Sequence, residues 1–309
     1  MVNRILVPLD GSVTAERALP YAAELAAATA GRLFLVRALE PRLRSREEPA
    51  RIAAYLEAAT TRLAAMGVEA SPTIADGHAP EAIVRETRQL RANLVVMAAH
   101  PHSVLHDLVA SHVARDVVAA GCAPVLLVDP ATCCQPSVAP RLRGSRVVVP
   151  LDGTEFAESA LALAVELALS LEATLCLIET IDVPAVPLSG GLMAPETIDL
   201  WYVWDPTVAL RAGREYLSGI ERRLCAADPA LRLTSSVQIG SVAEHIAAVL
   251  GLTGCPTSAG VGMVVMATHA RAGLSRVLLG ETADEVFRHD HLPLALVHPV
   301  GGFGASVAA

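Results

Sequence analysis

Short apolar runs alternate with longer amphipathic stretches along the first 130 residues. Residues 4–9 form the first apolar run, and 14–29 then places Leu19, Ala22 and Ala26 on one helical face. The same alternation predicts further strands at 32–38, 68–75, 94–98 and 125–128 and further helices at 47–66, 78–91 and 104–119. Strands that alternate with helices of this length indicate right-handed crossovers around a buried parallel sheet.

Three segments of the first half recur in the same order in the second half. Val-Pro-Leu-Asp-Gly-Ser at 7–12 returns as Val-Pro-Leu-Asp-Gly-Thr at 149–154, which lies 142 positions later. The segments at 95–100 and 124–130 each return 169 positions later, as Val-Val-Met-Ala-Thr-His and as Pro-Leu-Ala-Leu-Val-His-Pro. The repeat predicts two copies of one domain, with second-copy strands near 146–151, 174–180, 231–239, 262–267 and 293–297. We place the domains at 1–134 and 145–300, with a linker at 135–144 and a flexible tail at 301–309.

Two insertions distinguish the second copy from the first. The longer one, 182–206, is rich in Pro and Gly and holds both tryptophans, Trp201 and Trp204; the shorter one is 254–260. Long connections of this kind often serve as lids or contact surfaces. We expect the tryptophans to pack over their own domain or its sister rather than to stack on a ligand.

One helix start in the second copy has the spacing of a capping box, with Ser241 followed three residues later by Glu244. The first copy keeps Glu81 at the matching position but has His78 in place of the serine. Both segments are better explained by helix initiation than by catalysis.

Composition and charge exclude several classes of protein. The 309 residues are 53% hydrophobic but only 3% aromatic, so Ala, Val and Leu must build the cores of two ordinary domains. No apolar run is long enough to cross a membrane, which favours a cytoplasmic protein. The formal charge of −8 argues against a nucleic-acid surface. All 24 cationic residues are arginine, so neither a P-loop lysine nor a lysine Schiff base is present.

The cysteine and histidine spacings do not favour a metal site. Six cysteines show no CxxC pattern, and Cys133 and Cys134 are interpreted as ordinary thiols rather than as a redox sensor. His100, His102 and His106 lie close together in the first copy, but we favour a polar cluster there over a metal site.

These motifs, in this order and twice over, resemble the universal stress protein family along nearly the whole chain. The likeness rests on the strand endings at 7–12 and 149–154, on the Val-Val-Met-Ala-x-His segments and on the closing strands. Its most specific part is 271–280, Arg-Ala-Gly-Leu-Ser-Arg-Val-Leu-Leu-Gly. The resemblance implies an α/β fold of two tandem, doubly wound, Rossmann-like domains, each with a five-stranded parallel sheet flanked by helices. It also implies that the domains pair through their last strands, 124–128 and 293–297, and a homodimer of whole chains is compatible with the same pairing.

Some members of this family bind ATP or other adenine nucleotides through Gly-x-x-Gly, nine residues and Gly-Ser/Thr after the fourth strand. In the second copy Ala267 and Ala270 replace both glycines of the first element, and Gly280 is followed by Glu281 instead of a hydroxyl residue. Alanine at a positive φ is strained, and its Cβ stands where phosphate would approach. Glu281 would also repel a triphosphate, although Thr282 restores a hydroxyl one residue later.

The first copy has lost the motif entirely. Ala98-Ala99-His100-Pro101 replaces Gly-x-x-Gly, Ser111-His112 replaces Gly-Ser/Thr, and proline removes an amide donor from the loop. The nucleoside side of the site is better kept, because Asp10 and Asp152 both follow the first strand of their copy.

The sequence therefore favours a non-catalytic stress-response module that acts through domain pairing and an unidentified protein partner, with nucleotide binding weak or lost. The alternative is a protein that binds ATP or another adenine nucleotide, with Mg²⁺, in its second domain and hydrolyses it slowly. An enzyme of another doubly wound class is the least favoured interpretation. The residues that the resemblance assigns to a nucleotide are Pro150, Asp152, Gly153, Ile178, Met266, Ala267, Ala270, Gly280, Glu281 and Thr282, with Asp10, Gly11 and Val36 as a weaker first-half set.

Overall fold

The first half alternates strands and helices as the sequence predicts. The structure is a computed structural model that describes residues 1–40, 48–99, 108–130, 142–181, 205–249, 261–268, 281–290 and 292–299. The first half contains β1 Arg4–Pro8, α1 Val13–Glu16, α2 Ala18–Thr29, β2 Arg32–Leu39, α3 Glu48–Ala65, β3 Ala70–Asp76, α4 Ala79–Gln89, β4 Leu94–Ala98, α5 Leu108–Ala119 and β5 Val125–Val128.

The second half repeats this order of elements. It contains β6 Arg146–Leu151, α6 Glu155–Glu158, α7 Leu161–Ser170, β7 Thr174–Ile181, α8 Pro206–Ala227, β8 Leu233–Ile239, α9 Val242–Val249, β9 Val261–Ala267, α10 Glu281–Asp290 and β10 Leu294–Val297. The predicted capping box is confirmed, because the Glu244 N–H donates to Ser241 Oγ at 3.2 Å and the Ser241 N–H donates to Glu244 Oε2 at 3.3 Å.

The first predicted helix, 14–29, is divided into α1 and α2 at Arg17. Pro20 lacks the N–H that would donate to the Glu16 carbonyl, which disfavours a continuous helix. The second half has the same division between α6 and α7 although Ala162 stands in the matching place. The division therefore belongs to the fold and not to the proline alone.

The ten strands of the described residues form one sheet in the order β3-β2-β1-β4-β5-β10-β9-β6-β7-β8. Every neighbouring pair is parallel except β5 and β10, which run antiparallel with Leu126 opposite Ala295. The two halves are thus joined through their last strands, as the resemblance implied, and each half is a five-stranded parallel sheet flanked by helices. The predicted α/β fold is confirmed.

The core consists of two hydrophobic clusters, one on each face of the sheet. One cluster lies beneath α2, α3, α7 and α8, and the other beneath α4, α5, α9 and α10. Each cluster contains residues of both halves, because the sheet continues across the junction. Small and branched side chains fill both, as the composition predicts. Within the described ranges, no helix is both long and apolar enough to cross a membrane.

Candidate functional site

The carboxyl edge of the sheet holds two equivalent switch points. β1 lies between β2 and β4, and β6 lies between β7 and β9, so the chain leaves each first strand towards one side and returns on the other. Ligands of open α/β sheets bind beyond the carboxyl ends of the strands at such points. Asp152 follows β6 directly and Asp10 is the second residue after β1, which is where the sequence predicts a site.

Asp152 is held in a tight turn by its own neighbours. Its Oδ1 accepts a hydrogen bond from the Thr154 N–H at 3.0 Å and from Thr154 Oγ1 at 2.6 Å. The same hydroxyl accepts from the Ala157 N–H at 3.2 Å and so caps α6. The carboxylate therefore has a structural role in starting the helix, in addition to any contact with a ligand.

Asp10 repeats this geometry in the first half. Its Oδ1 accepts from the Ser12 N–H at 2.8 Å and from Ser12 Oγ at 2.5 Å, and Ser12 Oγ accepts from the Ala15 N–H at 3.1 Å. The persistence of both aspartates is explained by this shared turn, in which Ser12 and Thr154 have the same role.

The glycines after the two aspartates face different surroundings. Gly11 and Gly153 have φ values of +84° and +80°, a region that favours glycine. A Cβ built on Gly11 would lie 3.0 Å from Nη1 of Arg37, whereas one built on Gly153 would meet no atom within 4 Å. The described residues thus leave the second-half turn open and place a guanidinium group against the first-half turn.

The predicted apolar contacts are buried. Pro150 pairs with Ile178 across β6 and β7. Ile178, Met266 and Val36 lie on the same face of the sheet, but Val36, in β2, is distant from the other two, in β7 and β9. Their exposures are 1%, 8% and 1% respectively, so these side chains serve the core in this structure.

Ala267 differs from the expectation drawn from the nucleotide motif. It is the last residue of β9 and pairs with Val297, and it is not among the described residues with positive φ. Backbone strain from the loss of a glycine therefore does not arise at this position, because the strand itself determines the conformation there.

Several predicted residues lie outside the described ranges. Ala270 and Gly280 do so, as do the histidines and proline of 100–107, Trp201 and Trp204, and Cys133 and Cys134. Glu281 begins α10, and Thr282 is half-buried in the first turn of that helix. Within the described part of the chain, no group of three or more side chains is arranged to hold a metal ion.

A set of polar residues beside each aspartate was missed by the sequence reasoning. In the first half Glu16 forms an ion pair with Arg62 at 3.2 Å and lies next to Tyr55. In the second half Glu158 pairs with Arg223 and accepts a hydrogen bond from the Tyr216 hydroxyl at 3.1 Å. Glu16 and Glu158 lie the same number of residues after Asp10 and Asp152. The repeat in the sequence could therefore have identified them.

Burial and the neighbouring carboxylates shift the pKa values of these groups. Burial first, and the adjacent Glu16 and Glu158 carboxylates next, raise the pKa of the Tyr55 and Tyr216 hydroxyls well above their usual value. Burial also raises the pKa of Glu179, at the end of β7, and the nearby Asp152 carboxylate raises it further. The carboxyl groups of Asp152, Glu158 and Glu179 all raise the pKa of Tyr216, so three carboxyl groups lie close together at the second-half edge.

A second missed group lies between α9 and the sheet. His245 is 1% exposed, with Nδ1 at 3.1 Å from Thr180 Oγ1 and Nε2 at 2.6 Å from Ser236 Oγ. Burial lowers the pKa of this histidine. The first half has Ala38, Thr73 and Ala82 at the corresponding positions, so this polar contact is specific to the second half.

Comparison with known proteins agrees with this architecture. A universal stress protein from Archaeoglobus fulgidus is similar over 96% of this chain and 97% of its own, with a TM-score of 0.67 and 16% sequence identity. A functionally unknown protein from Pseudomonas aeruginosa is similar over 99% and 95%, with a TM-score of 0.63 and 19% identity. At these identities the likeness shows the fold alone.

The family assignment comes from the sequence of each half. No curated protein matches the chain. The model of the universal stress protein family matches it twice, at residues 1–129 and 145–298. Each match coincides with one five-stranded half of the sheet, and the two together span most of the chain. The chain therefore belongs to the universal stress protein family and carries two copies of its domain.

Proposed function

We propose that this protein is a non-catalytic stress-response module, which acts through the pairing of its two halves and through contacts with a protein partner, and that its nucleotide binding is weak or lost. The observation that carries the proposal is that Asp10 and Asp152 each stabilise the turn in which they lie. Each carboxylate accepts two hydrogen bonds from the second residue after it. Their retention needs no nucleotide to explain it.

The charges beside Asp152 also fit a polyphosphate poorly. The cation of this cluster, Arg223, is paired with Glu158, and Glu179 adds a further carboxyl group near Asp152. Like charges that meet at a half-buried edge repel each other, so a further negative charge at this turn is unfavourable. Hydroxyl groups of a nucleoside would be tolerated there, whereas a triphosphate would be disfavoured.

Thermal unfolding with and without Mg-ATP tests the proposal. A ligand present at 100 times its Kd stabilises the folded state by about 2.7 kcal/mol, which raises Tm by several degrees. We expect millimolar Mg-ATP to change Tm very little. A rise of several degrees that Asp152→Ala abolishes and Asp10→Ala retains would overturn the proposal, because both substitutions remove an equivalent turn carboxylate.

A second candidate function is adenine-nucleotide binding by the second half. It is favoured by the open surroundings of Gly153, which contrast with the guanidinium of Arg37 against Gly11. Under this alternative, AMP or ATP would perturb the backbone amide of Gly153 and leave that of Gly11 unchanged. Amide NMR spectra of the full chain distinguish the two halves directly, and hydrolysis is checked by phosphate release with Mg-ATP.

A further inference from the structure

The described sheet ends in two edge strands, β3 in the first half and β8 in the second. The last strands of the two halves, β5 and β10, already pair with each other inside the chain, so neither is open to a strand of another molecule. An edge strand presents unpaired backbone N–H and C=O groups to which a further strand can bind. Pairing of this sheet with another chain therefore has to use β3 or β8.

Alternate residues of β8 direct their backbone groups away from the sheet. The Leu175 N–H donates to the Arg232 carbonyl at 2.8 Å and the Gly240 N–H donates to the Ile181 carbonyl at 3.3 Å, so the even-numbered residues face β7. The outward-facing groups belong to Leu233, Ser235, Val237 and Ile239. Within the described residues, no backbone group pairs with these four positions.

β8 lacks the features that usually protect an edge strand. Its seven residues, Leu-Thr-Ser-Ser-Val-Gln-Ile, include no charge, proline or glycine, and all of them pair with β7 without a bulge. In β3, Pro72 takes the place of Ser235. The Glu69 carbonyl faces β2, so the N–H that Pro72 lacks is one that would face outward. Proline on an edge discourages pairing, so β8 is the more open of the two edges.

The whole length of β8 can pair with a second copy of itself. In an antiparallel pair about a two-fold axis, each contact between two positions occurs twice. With the axis beside Ser236, Leu233 lies opposite Ile239 of the second copy and Ser235 lies opposite Val237 of the second copy. Every outward-facing N–H and C=O group of β8 then meets a partner, and no like charges face each other along the strand.

The charges at the ends of β8 favour the same register. Arg232 lies opposite Gly240 of the second copy, and a Cβ on Gly240 would be 3.0 Å from Glu244 Oε2 of its own chain. An exposed guanidinium group therefore meets an exposed carboxylate at both ends of the pair. In the first half Glu69 and Glu81 take the places of Arg232 and Glu244, so self-pairing of β3 would bring like charges together.

We propose that two copies of this chain pair antiparallel through β8, with the two-fold axis beside Ser236 and with Arg232 of each copy facing Glu244 of the other. The contact repeats between chains what β5 and β10 do within one chain, which is the antiparallel joining of two parallel sheets. The inference goes beyond the proposed function, since it identifies a second copy of this chain as one protein partner and does not depend on nucleotide binding.

Sedimentation equilibrium of the full-length chain over a range of concentrations measures the association. We expect a monomer of 32.2 kDa in dilute solution and a dimer at high concentration. Amide hydrogen exchange locates the contact. The outward-facing amides of Leu233, Val237 and Ile239 should become protected as the dimer forms, whereas the amide of Ile74, at the equivalent edge of the first half, should not.

Substitutions that copy the first half test the contact. Ser235→Pro removes an outward N–H without breaking a bond to β7, and should raise the dimer dissociation constant at least about tenfold. Arg232→Glu, which copies Glu69, should also weaken the dimer. The double variant Arg232→Glu/Glu244→Arg exchanges the two charges and should restore it. Arg51→Glu reverses an exposed charge on α3 and is the control, with no expected change.

The outcomes separate this inference from the proposed function. A chain that stays monomeric at every concentration would overturn the inference, and so would a dimer that protects Ile74 in place of Val237 or one that Ser235→Pro leaves unchanged. If Ser235→Pro does not fold, the charge exchange decides, and a double variant no tighter than Arg232→Glu would overturn the inference. In each case the proposed function would stand, because its test is the response to Mg-ATP.

Discussion

Glu24 and Glu166 occupy equivalent positions in α2 and α7, and each carboxylate accepts hydrogen bonds from backbone amides that lie just before the first strand of the other half. Glu24 Oε1 accepts from the Leu142 N–H at 2.7 Å and from the Arg143 N–H at 2.9 Å. Glu166 Oε1 accepts from the Val2 N–H. Each glutamate thus holds the segment that precedes the first strand of the other half, so the halves are joined by reciprocal polar contacts as well as by β5 and β10.

Loss of the Glu24 carboxylate should loosen this junction. In Glu24→Ala the N–H groups of Leu142 and Arg143 lose their acceptor, and Leu142 is only 1% exposed. Leaving a buried donor unpaired costs about 1–3 kcal/mol. We expect a lower free energy of unfolding in urea and faster hydrogen exchange at these two amides.

Two control variants make this result specific. Glu24→Gln keeps an acceptor oxygen and should retain most of the protection, and Glu57→Ala removes an exposed glutamate of α3. Unchanged exchange at Leu142 and Arg143 in Glu24→Ala would show that the contact does not hold the halves together.

Alanine substitution at the two glycines of α8 should change the stability of the protein in opposite directions. At Gly219 a Cβ would meet no atom within 4 Å, so Gly219→Ala should gain helix propensity and stabilise the protein by about 0.5–1 kcal/mol. At Gly213 the Cβ would collide with Glu179 and Val237, so Gly213→Ala should destabilise it by about 1–3 kcal/mol despite the same gain. Urea unfolding of both variants measures the difference.

A double-variant cycle identifies the cause of the Gly213 effect. Glu179→Ala combined with Gly213→Ala removes the nearest clash, so the combined loss should be smaller than the sum of the two single losses. Additive losses would mean that Glu179 is not what requires glycine at this position.

The sequence predicts the fold well because the fold depends on patterns that occur twice. The alternation of strands and helices, the capping box of Ser241 and Glu244, and the positions of Asp10 and Asp152 all follow from local periodicity or from the repeat. The pairing of β5 with β10 followed from the family resemblance, since no local pattern specifies which strand edges meet, and its antiparallel direction is seen only in the structure.

The parts of the site that were missed depend on contacts between distant residues. Glu179 and Gly213 are brought together only by the packing of α8 on the sheet, and an insertion separates them in the sequence. Thr180, Ser236 and His245 come from three elements, and their contact depends on the β7–β8 register that pairs Ile178 with Ser236. No short turn fixes this register, because β7 and β8 are parallel strands connected through an insertion and α8.

Ionisation of Glu179 should reduce stability as the pH rises. Burial and Asp152 raise its pKa in the folded state above the usual value, so the folded protein holds the proton more tightly than the unfolded chain does. The resulting stability is fully present below the unfolded pKa of about 4.5 and is lost as the pH rises through the folded pKa. Glu179→Gln should therefore match the wild type in acid and exceed its Tm at pH 7.5.

Thermal unfolding at several pH values measures this difference, and Glu57→Gln is the control for removing one exposed negative charge. A Tm difference between Glu179→Gln and the wild type that does not grow between acid and neutral pH would contradict the assignment of a raised pKa to this group.

Protonation of His245 should reduce the stability of the protein as the pH falls. Burial lowers its pKa in the folded state, so on acidification the unfolded chain takes up a proton before the folded protein does. Its contribution is fully present above the unfolded pKa of about 6.5 and is lost as the pH falls through the folded pKa, by at most about 1.4 kcal/mol per pH unit. The double variant Thr180→Ala/His245→Ala, which copies Ala38 and Ala82 of the first half, should remove this slope between pH 7.5 and 5.5.

The pH dependence of the free energy of unfolding separates the ionisation of His245 from the packing effect of the two substitutions. The double variant also leaves a cavity and an unpaired Ser236 hydroxyl, which lower the free energy of unfolding equally at every pH. Urea unfolding at pH 7.5, 6.5 and 5.5 therefore gives a constant offset from the cavity and a pH-dependent part from the imidazole. His78→Ala removes an exposed histidine and is the control for that part. If the double variant kept the wild-type slope, the acid sensitivity would have to arise from groups other than His245, and the buried contact with Thr180 and Ser236 would serve packing alone.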